Sequence, residues 1–409
     1  MSRLRELALR LLLACASVAF TVAICELAVR ILAPQTVLTL EGLYVADPEL
    51  GYRHVPGFTG RERNPEYDVR IEINSRGYRD REYAAKRPGV QRIVGLGDSF
   101  TFGSGVEEPE IYLSRIESLL PDALGREVEV VNLGAGGRGL SDEARVLAAD
   151  GPGYDPDLVL VGLFFGNDVR DVMCGWDRFR VENGFRYWKD GILERWRHPL
   201  VPGRILRGEE EPRPLQEVPS AALPIPFKDV LKENLHLYTF LQRRYDALRE
   251  RLAPRDPSGP TKSFTVFNME ALMIDPYPPE LERAWEESRD VLAEMRDWCA
   301  ARGARLAVVG IPIPAQVDPE SWVKALATYG LDPSYLDREK PQRRLEQIGR
   351  ELGVPVVDLL PALLRARESA PEERLYYRRD IHWTPRGHDV AAREIQRVIL
   401  AEGLLEADP

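Results

Sequence analysis

The sequence predicts an α/β protein built on a parallel sheet with helices over both faces, and two observations carry that expectation. From Arg92 onward, short apolar runs end in Gly, Asn or Asp: Arg92 to Gly97, Val128 to Leu133, Leu158 to Phe165, Arg305 to Ile311 and Val354 to Leu359. Unbroken apolarity, rather than alternation, is what strands covered on both faces require. Helical patterns such as Glu110 to Leu120 and Gln342 to Leu352 fall between most of these runs. That rhythm implies βαβ units.

Composition narrows the class. A chain of 409 residues with 44% hydrophobic content can bury one large core or two modest ones. Its net charge of −10, with no basic stripe, argues against a nucleic-acid partner. Cys15, Cys25, Cys174 and Cys299 form neither a CxxC pair nor a zinc-spaced cluster. Cys299 falls on the apolar face of a helix starting near Glu280 (Leu281, Trp285, Val291, Leu292, Met295, Trp298), so a buried, inert thiol is expected. The spacing leaves a Cys174–Cys299 disulfide open.

The first 34 residues are a different material. Arg3, Arg5 and Arg10 precede an uncharged run from Leu11 to Cys25, and apolar character continues to Ala33. From Leu7 the segment is long enough to span a bilayer core of ~30 Å at ~1.5 Å per residue. Glu26 and Arg30, one turn apart, can pair at its far end. The arginines favour the cytoplasmic side and place the rest outside. Ala14-Cys15-Ala16 resembles a cleavage site, but the apolar stretch before it is too short and continues past it. An uncleaved anchor is therefore expected over a signal peptide or lipoprotein.

Residues 35–90 read as a lead-in rich in turn formers, with Tyr67 to Ile73 alternating as a half-buried strand. Residues 91–175 and 301–409 read as two halves of one catalytic domain. Residues 176–300 interrupt the rhythm and read as an insertion that shapes a cleft. In it, Phe179 to Glu182 and Phe185 to Trp188 flank Asn183-Gly184, a strong hairpin signal. A Pro/Glu-rich linker (Glu209 to Pro226), an amphipathic helix from Lys228 to Leu252 and a Pro/Gly-rich stretch (Pro254 to Pro260) follow.

Chemistry concentrates where strands end. Ser99, in Gly97-Asp98-Ser99-Phe100, follows the first strand and stands at its C-terminal tip, where α/β folds place their sites; it also reads as a helix cap. After the second strand, Gly134, Gly136 and Gly139 match G-x-G-x-x-G, but the acidic residue of a dinucleotide site is misplaced. A glycine turn offering backbone N–H groups to an oxyanion fits better, with a plain tight turn as the alternative. The third strand delivers Asn167, whose amide can donate to an oxyanion or cap a helix, and Asp168, which with Asp98 reads as local scaffolding. Near the C-terminus, Thr384 and Pro385 start a helix and leave His382 in the loop before it. Asp380, two residues upstream, can fold back onto the imidazole. His388 invites a metal, yet no further His or carboxylate cluster completes a site.

Taken in order, these blocks resemble the SGNH hydrolases, from Arg92 to about Asp171 and again from Arg305 to the C-terminus. The resemblance implies a three-layer αβα, flavodoxin-like sheet of mostly parallel strands with a large insertion after the third strand. It implies Ser99 as nucleophile, His382 as base and Asp380 as triad acid, with an oxyanion hole from Ser99, Gly137 and Asn167. It implies neither cofactor nor metal. Many members space the acid and base as Asp-x-x-His; the Asp-x-His here looks like the acetyltransferase-like branch that modifies exported polysaccharides, such as the alginate acetylation proteins. The anchor and the Asp47 to Tyr52 lead-in look like membrane-attached bacterial members, which implies a single pass through the inner membrane and a periplasmic catalytic domain. The expected partners are the membrane and an acylated glycan or lipid ester. Hydrolysis, acyl transfer to a sugar hydroxyl, and a silent carbohydrate-binding scaffold using Trp176, Trp188 and Trp196 all stay open, with nicotinamide chemistry on Gly134–Gly139 a distant reading.

Overall fold

In a computed structural model of the chain, residues 2–33, 40, 42–174, 179–182, 185–188, 235–252, 264 and 268–405 are described. They fall into two compact units: Met1–Thr39 with Arg61–Asp68 and Ser220–Ser258, and Leu40–Gly60 with Val69–Pro219 and Gly259–Pro409.

In the first unit, α1 (Ser2–Leu32) is long and apolar enough to cross a membrane. The anticipated pair forms, Arg30 Nε donating to Glu26 Oε1 at 2.6 Å. The same carboxylate also accepts the backbone N–H groups of His236 (3.1 Å) and Leu237 (2.7 Å), capping the helix His236–Leu252. Residues 228–234, where that helix was expected to begin, lie outside the described residues, as do both Pro-rich linkers.

The second unit holds the sheet. Its lead-in contributes β1 (Tyr44–Asp47), β2 (Gly51–His54) and β3 (Asp68–Glu72), the last alternating buried and exposed positions as the sequence pattern requires. Next come β4 (Gln91–Gly97), α2 (Ser99–Phe102), α3 (Tyr112–Leu124), β5 (Val128–Asn132), α4 (Leu140–Asp150), β6 (Leu158–Phe164) and α5 (Asp168–Asp171). The insertion supplies β7 (Phe179–Glu182) and β8 (Phe185–Trp188), paired antiparallel with Glu182 opposite Phe185. The hairpin is therefore present, while its turn, Asn183-Gly184, lies outside the described residues. The chain returns through α6 (Pro279–Ala300), β9 (Arg305–Ile311), α7 (Lys340–Leu352), β10 (Val356–Asp358), α8 (Leu360–Ser369) and α9 (Pro385–Ala401).

Five of these strands form one parallel sheet, in the order β10-β9-β6-β4-β5. This is the flavodoxin-like order, and the winding reverses at β4, which lies between β6 and the edge strand β5. Because parallel crossovers are right-handed, that reversal sends α3 and α4 to opposite faces. On one face Gln396 of α9 donates to the carbonyl of Leu119 in α3 (2.9 Å). On the other, Gly151 sits between Leu147 of α4 and Trp298 of α6. Ile93, Val94 and Leu96 of β4 are fully buried, so this strand is apolar on both sides for a packing reason.

Two elements differ from expectation at both ends. The last strand was expected from Val354 to Leu359 but pairs only over Val356–Asp358, because the Val354 N–H closes the end of α7 by donating to Gly349. The helix expected from Glu110 starts at Tyr112 after a 3₁₀ turn, Glu108–Glu110, and runs on to Leu124. Cys174 and Cys299 are not joined in a disulfide; burial pushes the Cys299 thiol up to about 12.

Candidate active site

β4 leads into Gly97 and Asp98, and the Asp98 carboxylate accepts the Phe100 N–H (2.9 Å), starting α2 at Ser99. This helix is one turn long, so the nucleophile candidate stands at the sheet's C-terminal edge with its side chain half-buried. Gly134, from the turn after β5, explains how that turn closes on α2. A Cβ there would lie 2.6 Å from the Phe102 nitrogen and 2.7 Å from the Thr101 carbonyl carbon, both backbone atoms that cannot yield.

The loop before α9 is fixed from several sides. Thr384 caps α9 and its hydroxyl donates to the Arg374 carbonyl (2.6 Å). The Tyr377 N–H donates to the His382 carbonyl (3.0 Å), and the Tyr377 hydroxyl reaches across to the Gly105 carbonyl (2.7 Å), tying this loop to the one that follows Ser99. Phe100 packs against the imidazole, ring centres 5.1 Å apart, and against the fully buried Trp383.

These supports bring Ser99, His382 and Asp380 together. His382 Nε2 lies 2.7 Å from Ser99 Oγ, and Nδ1 lies 2.5 Å from Asp380 Oδ1. A carboxylate only accepts, so Nδ1 carries the proton and Nε2 is left as the acceptor for the serine hydroxyl. Asp380 Oδ1 also accepts the backbone N–H of His382 (3.1 Å), an Asx-type turn that makes the Asp-x-His spacing workable.

The remaining site candidates lie on the neighbouring strand tips. A Cβ on Gly136 would be 3.8 Å from Ser99 Cβ, so this glycine turn borders the serine directly. Gly137 has φ +75°. A Cβ there would collide with the Arg186 guanidinium, 2.4 Å from Nη2. Asn167 sits at the tip of β6, its Nδ2 donating to Asp168 Oδ1 at 2.8 Å, with Asp171 Oδ2 at 3.4 Å and the Arg138 carbonyl at 3.5 Å. Asp168 also accepts the Phe164 N–H (2.6 Å), so it braces both Asn167 and the strand end. Burial, then the charges of Glu143 and Asp98, push the Asp168 carboxyl well up. Burial likewise lifts Asp98 to about 7, opposed by the Phe100 N–H and His382. His388 is buried, accepts the Tyr112 N–H at Nδ1 (3.2 Å) and is pushed down to about 3 by burial first, then by His382.

Residues that sequence reasoning passed over also shape the site. Arg79, fully buried, donates to the carbonyls of Gly103 and Val106 (2.6 and 2.7 Å), gripping the loop after α2. Tyr52 and Arg186 meet at the glycine turn. Neither carries a local motif that marks it. A cavity of about 210 Å³ lined by Asp318, Glu320, Lys324, Arg374 and Arg378 lies beside the His382 loop and contains none of the three central residues. Trp176 and Trp196 lie outside the described residues, and only the backbone of Trp188 is described.

Residues 275–409 match the family described as "SGNH hydrolase-like domain, acetyltransferase AlgX". That stretch holds Asp380 and His382; Ser99, Gly137 and Asn167 precede it. The chain is 24% identical over 135 residues to "Probable alginate O-acetylase AlgJ" of Pseudomonas putida, a match covering 31% of each chain. The chain thus spans about a third of the length of the curated relative it matches. Among solved structures it is similar to TesA, at 13% identity and a TM-score of 0.38 over 77% of this chain and 100% of that one. It is also similar to a mutant of Axe2, described as an acetyl-xylooligosaccharide esterase from Geobacillus Stearmophilus, at 13% identity and a TM-score of 0.35 over 75% and 93%.

Proposed function

We propose that this protein is a serine-dependent enzyme that takes an acyl group, foremost an O-acetyl group, from an ester on an extracytoplasmic glycan or lipid and holds it on Ser99. The single observation that carries the proposal is the continuous line Ser99 Oγ, His382 imidazole, Asp380 carboxylate, with contacts of 2.7 and 2.5 Å.

Ser99 Oγ attacks the ester carbonyl carbon as its proton passes to His382 Nε2. Negative charge moves to the carbonyl oxygen, where the N–H groups of Ser99 and Gly137 and the Asn167 amide are the donors at hand. Asp380 steadies the imidazolium. As the tetrahedral species collapses, His382 gives that proton to the departing alcohol oxygen and leaves an acyl-Ser99. A second hydroxyl, from water or a sugar, then loses its proton to His382 and attacks the acyl carbon, and His382 returns that proton to Ser99 Oγ as the acyl–Oγ bond breaks.

Water as the second nucleophile makes the enzyme an esterase; a sugar hydroxyl makes it an O-acyltransferase. The likeness of residues 275–409 to an acetyltransferase domain, and of a third of the chain to an alginate O-acetylase, favours the transfer reading as the alternative. Helix α1 supports a single-pass anchor, with the rest of the chain outside the inner membrane.

The test is release of acetate from a panel of acetylated glycans, with and without an acceptor sugar. Wild-type protein is expected to release acetate, or to pass it to the acceptor, and Ser99→Ala to do neither. A Ser99→Ala protein with full activity refutes the proposal.

A further inference from the structure

We propose that Tyr52 and Arg186 are positioning residues that hold the Gly136–Gly137 peptide so that its N–H faces the oxyanion. The inference rests on the reading of Ser99 as nucleophile and of the Gly137 N–H as an oxyanion donor.

A trans peptide directs its C=O and N–H to opposite sides, so holding one sets the other. This peptide is flanked by glycine on both sides, the residue that most readily lets a peptide plane turn over. Turned over, it would present a carbonyl oxygen where a donor is needed, and repel the developing charge. The turn therefore needs a lock, and the structure shows one. The Tyr52 hydroxyl donates to the Gly136 carbonyl at 2.8 Å. Tyr52 is almost wholly buried, and its hydroxyl oxygen accepts from Arg186 Nη1 at 2.7 Å. Charge thus runs in one line from guanidinium to phenol to amide. Each link polarises the next, by roughly 10–30% per bond in such chains, which strengthens the N–H at the far end as a donor.

Arg186 also blocks the turn sterically. Its guanidinium lies flat on Gly137: a Cβ there would stand 2.4 Å from Nη2, 2.6 Å from Nη1 and 2.7 Å from Cζ. The rings of Phe179, Tyr52 and Tyr44, centred 4.4, 4.8 and 5.2 Å from Cζ, fix the guanidinium in place. Tyr52 comes from β2 of the lead-in and Arg186 from β8 of the inserted hairpin, two segments outside the Ser, Gly, Asn and His blocks. Docking of the hairpin thereby completes the oxyanion site.

The experiment compares Tyr52→Phe, Arg186→Gln, Arg186→Lys and the Tyr52→Phe/Arg186→Gln pair with wild type. Active sites are first titrated with a fluorophosphonate, and acetyl-ester kinetics are then expressed per titrated site. Tyr52→Phe is expected to lower kcat by about 10- to 100-fold with KM within about twofold, below the cost of removing an oxyanion donor outright. Arg186→Gln should show the same kcat-specific loss. Arg186→Lys, which can still donate to Tyr52, should recover part of it. Residues acting in series are not additive, so the double variant should be no slower than the worse single one. Per-site kcat within about twofold of wild type in Arg186→Gln, or losses that multiply in the pair, overturn the proposal. A structural role alone would reduce the titratable fraction and leave per-site kcat unchanged. Ser99→Ala, run in parallel, separates the outcomes: activity there defeats the nucleophile reading, whereas an inactive Ser99→Ala beside full activity in Tyr52→Phe and Arg186→Gln defeats the lock alone.

Discussion

Replacing Asp380 with asparagine isolates the electrostatic part of the triad, because the geometry leaves the rest in place. Asp380 Oδ1 alone receives both the ring Nδ1–H (2.5 Å) and the backbone N–H of His382 (3.1 Å), and an amide oxygen can receive the same two. The tautomer and loop shape survive while the charge is lost. That charge matters only when His382 becomes an imidazolium. Unit charges about 4 Å apart attract by about 4 kcal/mol at an effective dielectric near 20 and about 1 kcal/mol in water. The two side chains are 15% and 20% exposed, which places the pair between those limits. A loss of about 2–3 kcal/mol of transition-state stabilisation follows, roughly 30- to 150-fold in kcat/KM. The assay is hydrolysis of a chromogenic acetyl ester across pH, with a thermal melt to confirm that the substitution leaves the fold intact. An Asp380→Asn protein within about twofold of wild type would show that Asp380 does not stabilise the imidazolium, and the argument would fail.

Two further outcomes follow from buried groups. His388 is held down at about 3, so on acidification below the ordinary imidazole range the unfolded chain binds a proton that the folded chain refuses. Stability present at neutral pH is lost through that window, by up to about 1.4 kcal/mol per pH unit. His388→Gln, whose amide oxygen can still accept the Tyr112 N–H, should flatten that slope in urea melts, and curves parallel to wild type would contradict it. Asn167→Ala should lower kcat by on the order of 10²–10³ as an oxyanion donor, and Asp168→Asn by less, since it removes one of two acceptors that brace Asn167 and Phe164. Asn167→Ala with unchanged kcat would remove that residue from the oxyanion site.

What the sequence made legible follows the range over which its signals act. The sheet strands are continuous apolar runs bounded by Gly, Asn or Asp, a pattern that burial on both faces writes into consecutive residues, and β9 was legible to its ends. Asp380 and His382 were legible as a pair because an Asx-type turn joins residues two apart. Thr384 and Pro385 announced α9 for an equally local reason. The short β10 was overestimated because the Val354 N–H chooses the end of α7 over the sheet, and composition does not decide between two acceptors. Asp168 read as scaffolding and is seen holding Asn167, a role visible only when the strand tip is built. Tyr52 and Arg186 were illegible as a unit. They are 134 residues apart, one in a turn-rich lead-in and one in an insertion, and only tertiary packing sets them on the same peptide.

The most direct measurement is the site of covalent capture. Folded protein is treated with a fluorophosphonate and, separately, quenched in acid during turnover of an acetyl ester; its peptides are then weighed by mass spectrometry. The adduct and the acetyl group are expected on the peptide carrying Ser99, absent from Ser99→Ala and strongly reduced in His382→Ala. Modification of a different residue, or none on folded, ester-cleaving protein, would contradict the nucleophile assignment.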